Sequence, residues 1–120
     1  MRKFIYLLVL AVVFLGGCDN QKNSAEAQIS PDKIYFFFSN GCPHCHDALA
    51  FINQKYPDLK VSMVNVGNNE GYELFVKCAA KFKLGRYIGT PLFCMGDKYL
   101  MGWSPESEIL FDDYVQPFMK

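Results

Sequence analysis

The sequence lacks an excess of charge of either sign, since its 12 Lys and Arg residues balance 12 Asp and Glu residues. Proteins that track phosphates need clustered positive charge, so this balance gives no electrostatic basis for binding nucleic acid. The chain also has no internal repeat and no tract of low complexity. With 120 residues, 16% of them aromatic, it is long enough for one domain, and disorder throughout is excluded.

The N-terminus carries an apolar run preceded by positive charge. Arg2 and Lys3 come before twelve consecutive apolar residues, 4–15. This run is too short to span a bilayer but suits the central part of an export signal. It ends in Leu15-Gly16-Gly17-Cys18, which resembles the lipobox of bacterial lipoproteins. We therefore expect residues 1–17 to be a lipoprotein signal peptide.

Cleavage at that point would leave Cys18 as the acylated N-terminus of a mature chain of 120 − 17 = 103 residues. An ordinary export signal with an incidental Cys18, or a short anchor that stays uncut, is the alternative. Residues 19–33 contain no aromatic residue and one large aliphatic residue, Ile29. Such a composition is typical of a flexible tether, so we place the tether at 18–33 and the folded domain at 34–120.

Hydrophobic patterns and turn residues predict the order β-α-β-α-β-β-α within the domain. An unbroken apolar run, 34–38, indicates a strand covered on both faces. Gly85 is the expected C-terminal cap of the second helix, and Gly96-Asp97 is the expected hairpin turn. The predicted strands are 34–38, 61–66, 92–95 and 99–101, and the predicted helices are 43–56, 70–84 and 105–117. This order favours an α/β sandwich with a four-stranded mixed sheet and flanking helices.

The chemistry is expected at Cys42-Pro43-His44-Cys45, where a C-x-x-C opens the first helix after a strand and a turn. Residues one helical turn apart lie close enough for a disulfide. A thiolate at Cys42 would be stabilised by the helix N-terminus and by a protonated His44. We assign Cys42 as the nucleophile, Cys45 as the resolving thiol, and Pro43 and His44 as residues that tune the thiolate.

Several other functions fit the same residues. A structural disulfide or half of a zinc site would also use C-x-x-C, although no second C-x-x-C completes a four-cysteine site. With His46 the motif reads C-x-x-C-H, which is typical of c-type haem attachment, and Met95 or Met101 would then be the second iron ligand. A metal or copper carrier and a non-catalytic binding domain are further alternatives.

Gly89-Thr90-Pro91-Leu92-Phe93 precedes the predicted hairpin and adds a second element. With the C-P-H-C, it makes residues 34–116 resemble the thioredoxin superfamily in its minimal, glutaredoxin-sized form, with a motif like that of periplasmic Dsb-type oxidoreductases. The resemblance implies that Pro91 follows a cis peptide bond and packs against the C-x-x-C. It also implies that the backbone of Thr90 pairs with a substrate peptide.

The chain departs from that family at two places. Thioredoxins carry a buried acid six residues before the nucleophile, where this chain has Phe36. Glutaredoxins use a Gly-Gly pair followed by an acid to bind glutathione, where this chain has Gly102-Trp103-Ser104.

Two cysteines remain, Cys78 on the apolar face of the second helix and Cys94 in the third strand. They are either buried core residues or a second disulfide, and the sequence does not decide between the two.

These features together predict a thiol–disulfide oxidoreductase that is lipid-anchored in the bacterial cell envelope and faces the periplasm or the exterior. It would act as an oxidase, or as a reductase if its potential is low. Its expected partners are thiols or disulfides of envelope proteins and a separate redox protein. We expect a monomer with no metal and no cofactor other than the Cys42–Cys45 disulfide.

Overall fold

The computed structural model of the protein describes residues 28–119. The predicted signal peptide, Cys18 and the first part of the tether lie outside these residues. The elements are, in chain order, β1 (Ile34–Phe38), α1 (Pro43–Lys55), β2 (Ser62–Asn65), α2 (Asn69–Lys81), β3 (Leu92–Met95), β4 (Lys98–Met101) and α3 (Pro105–Tyr114), and a short 3-10 helix (Gln116–Phe118) follows α3.

The four strands form one mixed sheet in the order β2-β1-β3-β4. β1 is parallel to β2 and antiparallel to β3, and β3 forms an antiparallel hairpin with β4. The helix between β1 and β2 is the crossover that a parallel pair requires. The predicted fold class is therefore confirmed.

Helices cover both faces of the sheet, because side chains alternate along β1 and β3. Ile34, Phe36, Phe93 and Met95 point to one face and join a buried cluster with residues of α1 and α3. Tyr35, Phe37, Leu92 and Cys94 point to the other face and join Phe75 and Cys78 of α2. β1 is thus covered on both sides, which is why its sequence is an unbroken apolar run.

α2 ends earlier than the apolar spacing indicates. The helix stops at Lys81, and Lys83 takes a left-handed conformation with φ 57°. The Leu84 N–H then donates to the carbonyl oxygen of Ala79 at 2.9 Å. Phe82 and Leu84 still pack on the core, but from beyond the end of the helix. Helical spacing therefore continues in the sequence past the point where the helix stops.

The part of the tether that the structure describes lies against the domain. Ile29 packs partly buried on the cluster that contains Tyr35, and the Ser30 N–H donates to the Tyr35 hydroxyl at 2.9 Å. Ile29 is the one large aliphatic residue of the tether, and burial of its side chain on the sheet accounts for this contact.

Candidate active site

The C-x-x-C motif lies where the chain leaves β1 and enters α1. Cys42 is the N-cap residue of α1, Pro43 is the first helical residue, and Cys45 lies in the first turn. Proline suits the first helical position because its fixed φ matches the helix and no N–H is needed there. This local geometry holds the Cα atoms of Cys42 and Cys45 5.3 Å apart, and the two residues form a disulfide.

One backbone N–H group is hydrogen-bonded to the sulfur of Cys42. The Cys45 N–H donates to the Cys42 Sγ at 3.2 Å, as to any N-cap acceptor. The first turn of α1 contains no acidic residue, so no carboxylate opposes the positive end of the helix dipole there. In the reduced protein the same position would stabilise a negative charge on Cys42.

The two cysteines are almost equally buried. Cys42 is 8% exposed and Cys45 is 5% exposed, while Gly41, Pro43 and His44 around them are exposed. The hydrogen bond to the Cys42 sulfur distinguishes the two thiols, and it favours Cys42 as the one that carries the charge.

The loop before β3 is hydrogen-bonded to the turn that precedes the motif. The Thr90–Pro91 peptide bond is cis, the isomer that the resemblance implies, and Pro91 is buried. The hydroxyls of Thr90 and Ser39 are hydrogen-bonded at 3.2 Å, and the Ser39 carbonyl accepts the Cys42 N–H at 3.3 Å. Ser39 therefore links the loop of Pro91 to the N-terminus of α1.

The sequence alone does not indicate this role of Ser39, because the residue lies in the turn between β1 and α1. The link depends on the antiparallel register of β1 and β3, in which Phe37 pairs with Leu92. Continuing that register outward brings Ser39 opposite Thr90. A hydroxyl directly after β1 and another directly before the proline are the only signals in the sequence, and they are weak without the register.

The two histidines of the chain lie in α1, and both side chains are exposed. His44 is exposed, and its Nδ1 lies 3.8 Å from an Asp47 carboxylate oxygen. His46 lines a small pocket of about 140 Å³ together with Cys45. Met95, a candidate haem ligand in the sequence, is buried in β3, whereas Met101 is exposed in β4.

The remaining pair, Cys78 and Cys94, also forms a disulfide. Their Cα atoms are 6.3 Å apart, and the bond joins α2 to β3. Both residues are almost completely buried, at 0% and 1% exposure. The structure thus adopts the second of the two possibilities that the sequence leaves open.

Within residues 28–119, no helix is both long and apolar enough to cross a membrane. In the same part of the chain, no three His, Cys, Asp or Glu side chains gather as a metal site would require.

A scan of the sequence against protein-family models gives no match, and a search of curated proteins gives none either. A comparison of structures matches the crystal structure of the glutaredoxin Grx-1 from Archaeoglobus fulgidus, with a TM-score of 0.50. The match covers 67% of this chain and 83% of that one. The fold is glutaredoxin-like. At 20% identity, the match establishes the fold and nothing further.

Within the glutaredoxin-like fold, the residues after β4 are used for packing. Trp103 is 9% exposed and contacts the rings of Phe93 and Phe111, with centroid distances of 5.7 Å and 6.1 Å. Trp103 therefore adds a large ring to the core beside α3.

Proposed function

We propose that the domain is a thiol–disulfide oxidoreductase that works through Cys42 and Cys45. The observation that carries the proposal is the position of Cys42 as the N-cap of α1, with its sulfur accepting the N–H of Cys45. A sulfur placed in this way ionises readily and is both a nucleophile and a leaving group in exchange reactions. The glutaredoxin-like fold supports the same proposal.

In the reducing direction, the Cys42 thiolate attacks one sulfur of a substrate disulfide and releases the other as a thiolate. Cys45 then attacks Cys42, which forms the Cys42–Cys45 disulfide and releases the reduced substrate. The oxidising direction is the reverse of these steps, and each step conserves the number of disulfides. Thr90 is hydrogen-bonded to Ser39, three residues before Cys42, and we propose that its backbone pairs with an extended segment of the substrate protein.

The direction of electron flow depends on the reduction potential, which is measured by equilibrating the protein with glutathione redox buffers. A potential near about −270 mV would indicate a reductase, and one near about −120 mV a strong oxidase like the Dsb-type enzymes. The proposal fails if the Cys42–Cys45 pair does not interconvert between disulfide and dithiol in these buffers.

We propose protein substrates rather than glutathione, because Gly102-Trp103-Ser104 lacks the Gly-Gly pair and the acid expected for glutathione binding. The matched experiment compares reduction of the mixed disulfide of glutathione with reduction of a disulfide-bonded protein. Faster turnover of the protein substrate supports this specificity, and a strong preference for the glutathione adduct contradicts it.

We further propose that a lipid at Cys18 anchors the domain to a membrane of the cell envelope. The tether meets the sheet at Ile34, at the start of β1, and the C-x-x-C follows the other end of that strand. The thiols would therefore lie about 17 Å from the start of β1, the length of a five-residue strand.

Replacement of the acylated residue tests the anchor. The Cys18→Ser variant should lose membrane attachment, because no thiol is left to carry the acyl chains. Cell fractionation and the mass of the purified protein provide the measurement. A variant that stays in the membrane fraction and carries the same added mass as the wild type would show that Cys18 is not lipidated.

A further inference from the structure

The pocket beside Cys45 contains one ionisable side chain other than Cys45 itself. Its walls are the apolar side chains of Phe36, Phe38, Leu49 and Met63, and its volume is about 140 Å³. Cys45 and His46 line it from α1. The residues contributed by β1, by the turn after β1 and by β2 carry no charge.

Cys45 needs a proton acceptor if it is the resolving thiol. Only the thiolate attacks a disulfide, and apolar surroundings disfavour the charged form of a buried thiol. Cys45 is 5% exposed, so bulk water reaches it poorly except through the pocket. A base that reaches Cys45 directly or through one water molecule would remove the thiol proton, which the apolar surroundings do not do.

Phe36 cannot act as that base. Its ring is 1% exposed and is stacked on Phe93 with the centroids 4.7 Å apart. No carboxylate stands at this position or elsewhere around the pocket. Among the residues that line the pocket, the imidazole of His46 is therefore the group available to take the proton.

We propose that His46 is the proton acceptor for Cys45, directly or through a water molecule in this pocket. The proposal rests on the proposed function. In the mixed disulfide, His46 takes the proton of the Cys45 thiol, and the Cys45 sulfur attacks the Cys42 sulfur. The Cys42–Cys45 bond forms as the bond from Cys42 to the substrate breaks. The substrate leaves as a thiolate and is protonated by the solvent, while His46 later returns its proton to the solvent.

The same step runs backwards when the protein acts as an oxidase. A substrate thiolate then attacks Cys42, Cys45 leaves, and the protonated His46 gives it a proton. The proposal therefore holds for either direction of electron flow. Histidine suits this exchange because it gains and loses a proton between about pH 5 and pH 8.

The two histidines are expected to act on different thiols. Both side chains are exposed, but His46 lines the pocket beside Cys45, whereas His44 lies 3.8 Å from an Asp47 carboxylate oxygen and does not line it. Its charge would act on the Cys42 thiolate. His46 would act on Cys45, so substitutions at the two positions should change different steps.

The experiment follows the reduced full-length protein after mixing with an aryl disulfide, dithiobis-nitrobenzoate, over a range of pH. The first coloured thiolate released reports attack by Cys42, and the second reports the internal attack by Cys45. The Cys45→Ala variant identifies the second phase, because it should release the first thiolate only. A wild type without a second phase would refute the proposed function itself, whatever the role of His46.

We expect His46→Gln to slow the second phase on the order of 100-fold at pH 7 and to leave the first phase nearly unchanged. The difference should shrink as the pH approaches about 9, where thiols ionise without help. Added imidazole should restore the rate, which a merely structural defect would not allow. His44→Gln should change the first phase and leave the pH profile of the second in place.

Three results would overturn the assignment of His46. The first is an unchanged second phase in His46→Gln. The second is a slowing that is the same at every pH and does not respond to imidazole. The third is an equal loss of the pH dependence in His44→Gln.

Discussion

The disulfide between Cys78 and Cys94 should be a large contributor to the stability of the domain. It joins α2 to β3 across 16 residues of sequence. In the chain-entropy description, closing a loop of this length in the unfolded chain stabilises the folded state by about 3 kcal/mol. The total free energy of unfolding of a small domain is on the order of 5–15 kcal/mol, so loss of this bond should be plainly measurable.

A double-mutant cycle separates the bond from the packing of two buried sulfurs. The variants are Cys78→Ala, Cys94→Ala and both together, in a background where the other three cysteines are serine. Either single variant breaks the bond, and each also loses about 1 kcal/mol of packing. The singles should therefore lose about 4 kcal/mol each and the double variant about 5 kcal/mol.

Urea unfolding followed by circular dichroism gives these free energies. The account predicts that the double variant is about 3 kcal/mol more stable than the sum of the two single losses implies. A double-variant loss that equals the sum of the two single losses to within about 0.5 kcal/mol would refute the reasoning, because substitutions of independent core residues are additive. Alkylation of the denatured, unreduced protein provides a check, since paired cysteines do not react.

Two further predictions concern charges on the helices. His44→Ala should make the reduction potential more negative, by about 30 mV for each 1.4 kcal/mol of lost thiolate stabilisation, and a less negative potential would contradict the tuning role. Hydrogen bonds from Lys55 and Tyr56 lower the pKa of Asp112 in the folded protein. The ionised carboxylate therefore stabilises the fold at any pH above about 4, the pKa of an Asp in the unfolded chain. Asp112→Asn should therefore lower the unfolding free energy at pH 7, and the deficit should shrink as the pH falls below about 4. Asp113→Asn is the matched control, and an equal loss in both variants would contradict this reasoning.

Local signals in the sequence predicted most of the fold. The apolar run of β1 and the proline at the start of α1 depend on neighbouring residues only, and the structure places both elements where the pattern indicates. The apolar spacing predicts the end of α2 three residues too late. Phe82 and Leu84 continue that spacing because they pack on the core from beyond the end of the helix.

The features that the sequence could not predict depend on contacts across the sheet. The 6.3 Å between the Cα atoms of Cys78 and Cys94 is set by the packing of α2 on β3. The hydrogen bond between Ser39 and Thr90 joins residues 51 positions apart. Met63 of β2 forms one wall of the pocket beside Cys45. The residues that form these three features are not spaced along the chain in any recognisable pattern.

The central claim is that Cys42 is the nucleophile of thiol–disulfide exchange, and trapping of mixed disulfides in cells tests it most directly. The Cys45→Ala variant should accumulate disulfide-linked complexes with client proteins on non-reducing gels, because nothing resolves the bond at Cys42. The Cys42→Ala variant, expressed at the same level, should trap none. Equal trapping by the two variants, or trapping by Cys42→Ala alone, would contradict the account.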